Sequence, residues 1–494
     1  MMNKPNILLL FTDQQRFDTI AELGNRVIKT PNLDRLVREG TAFTRAYTPS
    51  PVCIPARWCM HYGQYSQKSK LHVNAAMPKD NGASLPKILS QNGYYTASIG
   101  KCHFTPNRQE LRGFDMRLIQ EEGNSNPEKD DYCRWLKENA YDYDEPHGTR
   151  SEMYYIPQIS LHSEKDHPST WVGDRSIEFI NKNSDSKPWM LFSSFIHPHP
   201  PFAPPKPWHK LYRALDMPLP FVPKDSDALY TWINRKQNRS KYRDYGIDNN
   251  LMRNIKAYYY AAISYVDYQI GRILSSLEET GQLDNTVIVF SSDHGEHLGD
   301  YNCFGKRSMH NSSVRIPMII RGSGFVSNAR CNIPVSLVDL LPTFAAISGV
   351  DANNLDTDGL NLANIVAGKT NREYVYSQFG KDNLAIYMIA CTDWKYIYSA
   401  GDNKEFLFDH VHDPQESINK AGFVAESEIK NKLKNVLLTY LKKENASEAY
   451  TETEKGLEWR EYPRFDLSSL EDPNTGLMIQ DHNTLVLDKS GYTK

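Results

Sequence analysis

Cys53, Pro55 and Arg57 stand two residues apart in the stretch Pro51-Val-Cys-Ile-Pro-Ala-Arg-Trp-Cys-Met-His-Tyr-Gly63. Pro55 suits the first turn of a helix, where a missing N–H costs nothing. Cys53 then falls at or just before the helix N-terminus, where partial positive charge favours an anionic oxygen or sulfur. Arg57 follows one turn later on the same face. A nucleophile position, a helix dipole and a guanidinium converge there, which suits an anionic substrate. A free cysteine taken alone is more often a small buried hydrophobe, so the other parts of the chemistry must come from elsewhere in the chain.

Four apolar runs end in residues of that kind. Asn6–Thr12 is continuous enough for a strand buried on both faces of a parallel sheet, and it ends in Asp13-Gln14. Tyr94–Gly100 ends in Lys101-Cys-His103, and 187–196 runs into His197-Pro-His199. Thr286–Ser292 ends in Asp293-His294. Open α/β sheets bind ligands at the carboxyl ends of their strands. Two such ends with oxygen and imidazole donors, Asp13-Gln14 and Asp293-His294, imply one divalent cation between them. Period-2 spacing puts Lys101 and His103 on one side of an extended chain. The prolines around His197 and His199 restrict that loop and would hold an imidazole in place. Each of these has a plainer reading: a turn aspartate, a loop asparagine such as Asn74, or a pair of loop histidines.

The positioning elements follow the same pattern. Helices are expected over Thr30–Gly40, 84–92, 171–181, 252–280 and Val335–Ile347. Residues 120–170 read as a polar, aromatic-rich irregular excursion with Tyr132, Trp135, Tyr141, Tyr143, His147, Tyr154 and Tyr155. Such an excursion shapes a substrate pocket or is a surface insertion. Residues 203–250 carry no clear signal. Beyond residue 372 the pattern changes to short alternating strands at 374–379, 384–390 and 394–398, with a helix over 426–443. The division expected is a catalytic domain over 1–372 and a small α+β domain with an antiparallel sheet over 373–494. The last 45 residues are polar and read as an arm on a neighbouring subunit of a homo-oligomer, or as a free tail.

Composition narrows the class. At 494 residues the chain is too long for one small core. A net charge of -3 gives no basic field for nucleic acid. The seven cysteines are sparse, odd in number and without metal-finger spacing, which reads as reduced thiols. No apolar run approaches the ~20 residues of a membrane span. The run after Asn6 is too short for a signal segment, so the expected location is cytoplasmic.

Cys53-x-Pro55-x-Arg57 resembles the signature of the formylglycine-dependent type I sulfatases, in the alkaline phosphatase superfamily. Gly100-Lys101-x-His103, Pro198-His199-x-Pro201, Asp293-His294-Gly, Lys306 ahead of Arg315-x-Pro317, and Asp413-Pro-x-Glu416 follow in family order. Gln14, where sulfatases carry a second acid, resembles the choline sulfatase and phosphonate monoester hydrolase branch.

The resemblance implies an alkaline-phosphatase-like α/β sandwich with a large, mostly parallel sheet. It implies a sulfatase acting on the sulfate monoester of a small alcohol, an aryl group or a glycan sugar. Cys53 would be converted to Cα-formylglycine by a maturation enzyme, and its hydrate would be the nucleophile. The implied metal set is Asp13, Gln14, modified Cys53, Asp293 and His294. Oxygen ligands favour calcium; neutral Gln14 and the imidazole favour manganese instead. Arg57, Lys101, His103, His199 and Lys306 take catalytic or sulfate-binding roles, with His199 serving the leaving oxygen. Asn74 and His197 are implied substrate contacts. Two alternatives stay open: a phosphonate monoester or phosphodiester hydrolase of the same fold, and a non-catalytic metal-binding module with unmodified Cys53.

Overall fold

A computed structural model describes residues 4–123, 126–139, 141, 146–148, 155–184, 187–241 and 248–466, with the side chains of 238–241 excepted. Tyr143, Tyr154 and the tail beyond 466 lie outside the described residues. The central sheet has eight strands in the spatial order Ala329–Cys331, Thr41–Phe43, Met318–Arg321, Thr286–Ser292, Asn6–Thr12, Trp189–Phe195, Tyr95–Gly100, Met116–Ile119. Met318–Arg321 is antiparallel to both of its neighbours, and the other pairings are parallel. The sheet is therefore large and mostly parallel, as expected.

Alternation along the first strand explains the layering. Ile7, Leu9 and Phe11 pack to one side with Met60, Tyr62, Leu89 and Leu341, from helices on that face. Leu8 and Leu10 pack to the other with Leu33, Val172, Ile270 and Ile273. Both faces are covered, so the strand needs no polar side. Each buried aliphatic side chain contributes about 1.5–3 kcal/mol relative to exposure.

Four neighbouring strands position the site. Thr12 is in register with Ser292 on one side and Phe195 on the other, and Gly100 is in register with Ser194. Parallel pairing thus brings the residues after Thr12, Ser292, Phe195 and Gly100 to one edge of the sheet. Gly100 allows this approach: its φ is +98°, and a Cβ there would stand 1.9 Å from the Ser194 carbonyl oxygen.

The small antiparallel sheet runs Val375–Phe379, Ile386–Ala390, Trp394–Ser399, Lys404–Asp409. One face packs Val375, Met388 and Phe408 on Tyr47, Val52 and Val314 of the larger unit. The other face takes Leu433, Leu437 and Leu441 of the helix Ser427–Lys443. Among the described residues no helix is long and apolar enough to cross a membrane.

Several expectations differ in detail. Val335–Ser336 is a strand pairing with Ala46–Tyr47, and the α-helix starts only at Leu340. The Ser336 N–H donates to Asp339 Oδ2 at 2.8 Å, which fixes the turn ahead of the helix. The helix expected from residue 171 begins at Pro168, whose ring suits a first turn, and His167 caps it by accepting from the Ser169 N–H. The excursion over 120–170 contains a helix, Asp131–Glu138, capped by Asp130. The stretch 203–250 contains another, Trp232–Lys241. The polar end is partly built in. Tyr450–Thr453 and Gly456–Trp459 form a hairpin, and Trp459 stacks on Tyr398 at 4.1 Å.

Candidate active site

Cys53 opens the helix Cys53–Tyr62, with Val52 as an extended N-cap and Gly63 left-handed at the C-cap. Every residue of this helix is buried, so its N-terminus is held from all sides. The Cys53 thiol faces the strand ends directly. Its Sγ lies 3.2 Å from His294 Nε2, 3.1 Å from Lys306 Nζ and 3.7 Å from Asp13 Oδ1. Burial, then the charge of Asp13, pushes the thiol up to about 12. An unmodified thiol here stays protonated at neutral pH and is a weak nucleophile.

The carboxylates come from two adjacent strand ends. Asp13 and Asp293 are fully buried, and with Cys53 and His294 they offer ligand atoms that all lie within 4.8 Å of one another. Burial, with Asp13 beside it, pushes Asp293 up to about 7. Asp13 itself stays well below the usual carboxylate range: burial raises it, but Lys101, His199, Lys306 and Arg57 outweigh that. Two acids pressed together in this way oppose each other's ionisation. The Nδ1 of His294 faces the Gly295 carbonyl at 3.0 Å, which fixes a proton on Nδ1 and leaves Nε2 toward the cluster. The Gln14 amide donates through Nε2 to Glu296, so its Oε1 is the free acceptor and takes Lys306 Nζ at 2.7 Å. Three oxygen donors, one imidazole nitrogen and residue 53 fit a divalent cation.

The cations divide into two kinds. Arg57 is consumed by the protein: Nε reaches Asp293 Oδ2 and Nη2 reaches Asp13 Oδ2, both at 3.1 Å, and Nη1 donates to the Lys101 carbonyl at 2.6 Å and Ser194 Oγ at 3.1 Å. It clamps the two acids in place. Lys101 bridges two carboxylates, with Nζ 2.7 Å from Asp13 Oδ2 and 2.9 Å from Glu122 Oε1. His199 Nδ1 lies 2.7 Å from the Pro200 carbonyl oxygen and 2.9 Å from Glu122 Oε2. Burial pulls His199 down to about 4, only partly offset by Glu122.

The remaining residues lie around this cluster. His103 adopts a left-handed φ of 59°, its N–H donates to Glu121 Oε1 at 2.8 Å, and its buried Nδ1 has no hydrogen-bond partner among the described residues. Asn74 is exposed, and its Oδ1 accepts from the Ile54 N–H at 3.0 Å, one residue past Cys53. His197 faces away: its Nδ1 meets Ser169 Oγ at 3.2 Å and its ring packs on His167 at 4.8 Å.

Three acids in this shell went unnoticed in the sequence. Glu121 accepts from the Cys102 and His103 N–H groups and shapes that turn. Glu122 joins Lys101 to His199, and Glu296 fixes the Gln14 amide while accepting from Tyr155 Oη at 3.1 Å. Their signal was present. Glu121 and Glu122 follow Ile119, and Glu296 follows Ser292, each within four residues of a strand's carboxyl end. Among the described residues the cysteines form no disulfide.

The pattern of the family described as "Sulfatase" matches residues 5–350, and that of "N-sulphoglucosamine sulphohydrolase, C-terminal" matches 299–443. An arylsulfatase of Clostridium perfringens is 31% identical over 487 residues, covering 92% of this chain and 97% of that one. A choline-sulfatase of Rhizobium meliloti is 29% identical, covering 85% of this chain and 82% of that one. The phosphonate monoester hydrolase of Agrobacterium radiobacter superposes with a TM-score of 0.76 over 93% of this chain and all of that one, at 23% identity, a likeness of fold. With buried acids, imidazole and Cys53 gathered at the strand ends of this sheet, the chain belongs to the sulfatase family of the alkaline phosphatase superfamily and is a sulfuric ester hydrolase.

Proposed function

We propose that the enzyme hydrolyses a sulfate monoester of a small alcohol, an aryl group or a sugar, with residue 53 as nucleophile after conversion to formylglycine. The observation that carries this reading is the placement of Cys53 Sγ against Asp13, His294 and Lys306 at the helix N-terminus. Sulfate esters resist attack because they are anions with a crowded sulfur. A site must supply positive charge, a strong nucleophile and a proton for the leaving oxygen.

The side chains divide that work. Asp13, Gln14, Asp293, His294 and residue 53 would hold a divalent cation, read here as calcium with manganese as the alternative. Such a cation polarises the ester and lowers the pKa of the attacking hydroxyl. Arg57 orients the two acids by bonding both. Lys101 and Lys306 neutralise the sulfate oxygens. His199 presents Nδ1 to Pro200 and Glu122; in its imidazolium form, which Glu122 favours, it would carry a second proton on Nε2 and give that one to the leaving oxygen. His103, with a buried nitrogen unpaired among the described residues, is suited to take a proton from residue 53 when sulfate departs. Conversion of Cys53 requires a formylglycine-generating enzyme before the site is competent.

The rival reading is a phosphonate monoester hydrolase, favoured by neutral Gln14 and by the fold likeness above. Lys101 and His103 favour sulfate instead, since the resemblance to phosphonate monoester hydrolases does not extend to that pair. Comparing kcat/KM on nitrophenyl sulfate and on a phenylphosphonate nitrophenyl ester separates the two. Faster turnover of sulfate is expected, and a preference for the phosphonate would overturn it. A panel of aryl sulfate, choline sulfate and a sulfated sugar then identifies the alcohol.

A further inference from the structure

An acid stands on the reacting side of the pocket where a binder of anions should want none. Glu122 lies just beyond the edge strand Met116–Ile119, with its side chain 14% exposed. Lys101 Nζ holds its Oε1 at 2.9 Å and His199 Nδ1 holds its Oε2 at 2.9 Å, so it is pinned from both sides. One of its oxygens, a His199 ring nitrogen and Cys53 Sγ all lie within 4.8 Å of one another. A formal negative charge therefore stands within 4.8 Å of residue 53, in the same shell as the groups that attract substrate.

Such a charge weakens the binding of every anion, but unequally. Coulomb repulsion scales with the charge of the ligand. A sulfate monoester carries one negative charge, and so do a phosphonate monoester and a phosphodiester. A phosphate monoester carries two above its second pKa near 6. Lys101 cannot offset the difference fully, because it also answers to Asp13 at 2.7 Å. A site selects partly by what it repels.

We propose that Glu122 sets the charge of the substrate this pocket accepts, admitting singly charged esters and rejecting doubly charged phosphate monoesters. This rests on the reading of residue 53 as the nucleophile of an ester hydrolase. Glu122 is a specificity residue here, distinct from the groups that attack sulfur or protonate the leaving oxygen.

The test compares wild type, Glu122→Gln and Glu122→Asp on nitrophenyl sulfate and nitrophenyl phosphate at about pH 8, where the phosphate is a dianion. Glu122→Gln keeps the shape and removes the charge. It is expected to raise the phosphate-to-sulfate ratio of kcat/KM about tenfold or more. Glu122→Asp keeps the charge and should leave the ratio within about threefold. Where phosphate turnover is too slow to follow, its inhibition constant against sulfate hydrolysis is compared with the KM for sulfate across the three proteins instead, and the same direction of shift is expected. A brace for Lys101 and His199 alone would slow both substrates together, so an unmoved ratio in Glu122→Gln overturns the proposal. So does an equal shift in Glu122→Asp. Should Glu122→Gln not fold, Glu122→Ser is read by the same criterion. If wild type hydrolyses sulfate and the ratio fails to move, only the role of Glu122 falls; if wild type turns over neither ester, the reading of the site falls with it.

Discussion

Asp13 and Glu416 are both fully buried carboxylates set among cations, and their neighbours differ in a telling way. Glu416 is a single acid at the junction of the two sheets. It pairs with Lys395, sits 3.0 Å from His410 Nε2 and accepts from the Asn311 N–H at 2.8 Å. Lys395 also donates to the Met309 carbonyl at 2.7 Å. Burial raises Glu416, but Lys395, His310 and His410 outweigh it and hold the carboxyl well below its usual range. Asp13 instead shares its cavity with Asp293, and the second acid is pushed up to about 7 by burial and by Asp13. One network closes on itself. The other presses two carboxylates into one cavity, and it does so at a thiol and a helix N-terminus. A closed network supports the fold, whereas an open one is built for something that arrives later.

Substitutions should separate the two networks sharply. Cys53→Ala and Cys53→Ser are expected to lower kcat by more than about 10³-fold while the melting temperature stays put. A variant retaining near wild-type rate on any sulfate ester would remove residue 53 from the mechanism. Asp13→Ala or Asp293→Ala should strip the bound divalent ion and most of the activity, as should a chelator on wild type; elemental analysis of active protein with no such ion would refute the metal set.

Smaller effects grade the individual cations. Lys101→Ala should slow sulfate hydrolysis by about 10- to 100-fold, the loss of one charge-assisted bond strengthened in the transition state, and slow a phosphonate monoester less. His199→Ala should hurt most on alkyl or sugar sulfates and least on nitrophenyl sulfate, whose leaving group needs little protonation. Equal losses across leaving groups would move that role to Lys306 or His103.

The closed network should answer the opposite way. Glu416→Gln leaves Lys395 buried without its counter-charge and is expected to cost about 3–5 kcal/mol of stability, while turnover per folded molecule changes least of all. The depressed Glu416 also sets an acid limb. Its contribution is complete above its ordinary pKa of 4.5 and is lost as pH falls through the lower folded value. Acid unfolding monitored by circular dichroism should show this limb in wild type and a flatter one in Glu416→Gln. A variant with wild-type stability and no turnover would reverse the assignment of the two networks.

The strand ends were legible because long apolar runs are hard to place anywhere but in a covered sheet. Asn6–Thr12 and Thr286–Ser292 fall where the runs predict, and parallel register then brings Asp13 beside Asp293. Three further acids were marked by nothing except their nearness to a strand end. Glu121, Glu122 and Glu296 sit in polar stretches that look like solvated turns until tertiary packing buries Glu121 and Glu296 and covers most of Glu122. Arg57 was legible as a cation near Cys53, but not as a clamp, because its partners lie 44 and 236 residues away. Thr30 makes the same point in miniature. It stands at the N-cap of Pro31–Glu39, yet its hydroxyl bonds Asp34 and the Ala21 N–H rather than capping the helix.

The mass of the tryptic peptide Ala46–Arg57, measured on protein whose sulfatase activity is known, tests the central claim most directly. Conversion of Cys53 to formylglycine makes this peptide about 18 Da lighter. The account predicts that specific activity rises in proportion to the lighter species across preparations made with and without a formylglycine-generating enzyme. Full activity in protein carrying only unmodified Cys53 would contradict it.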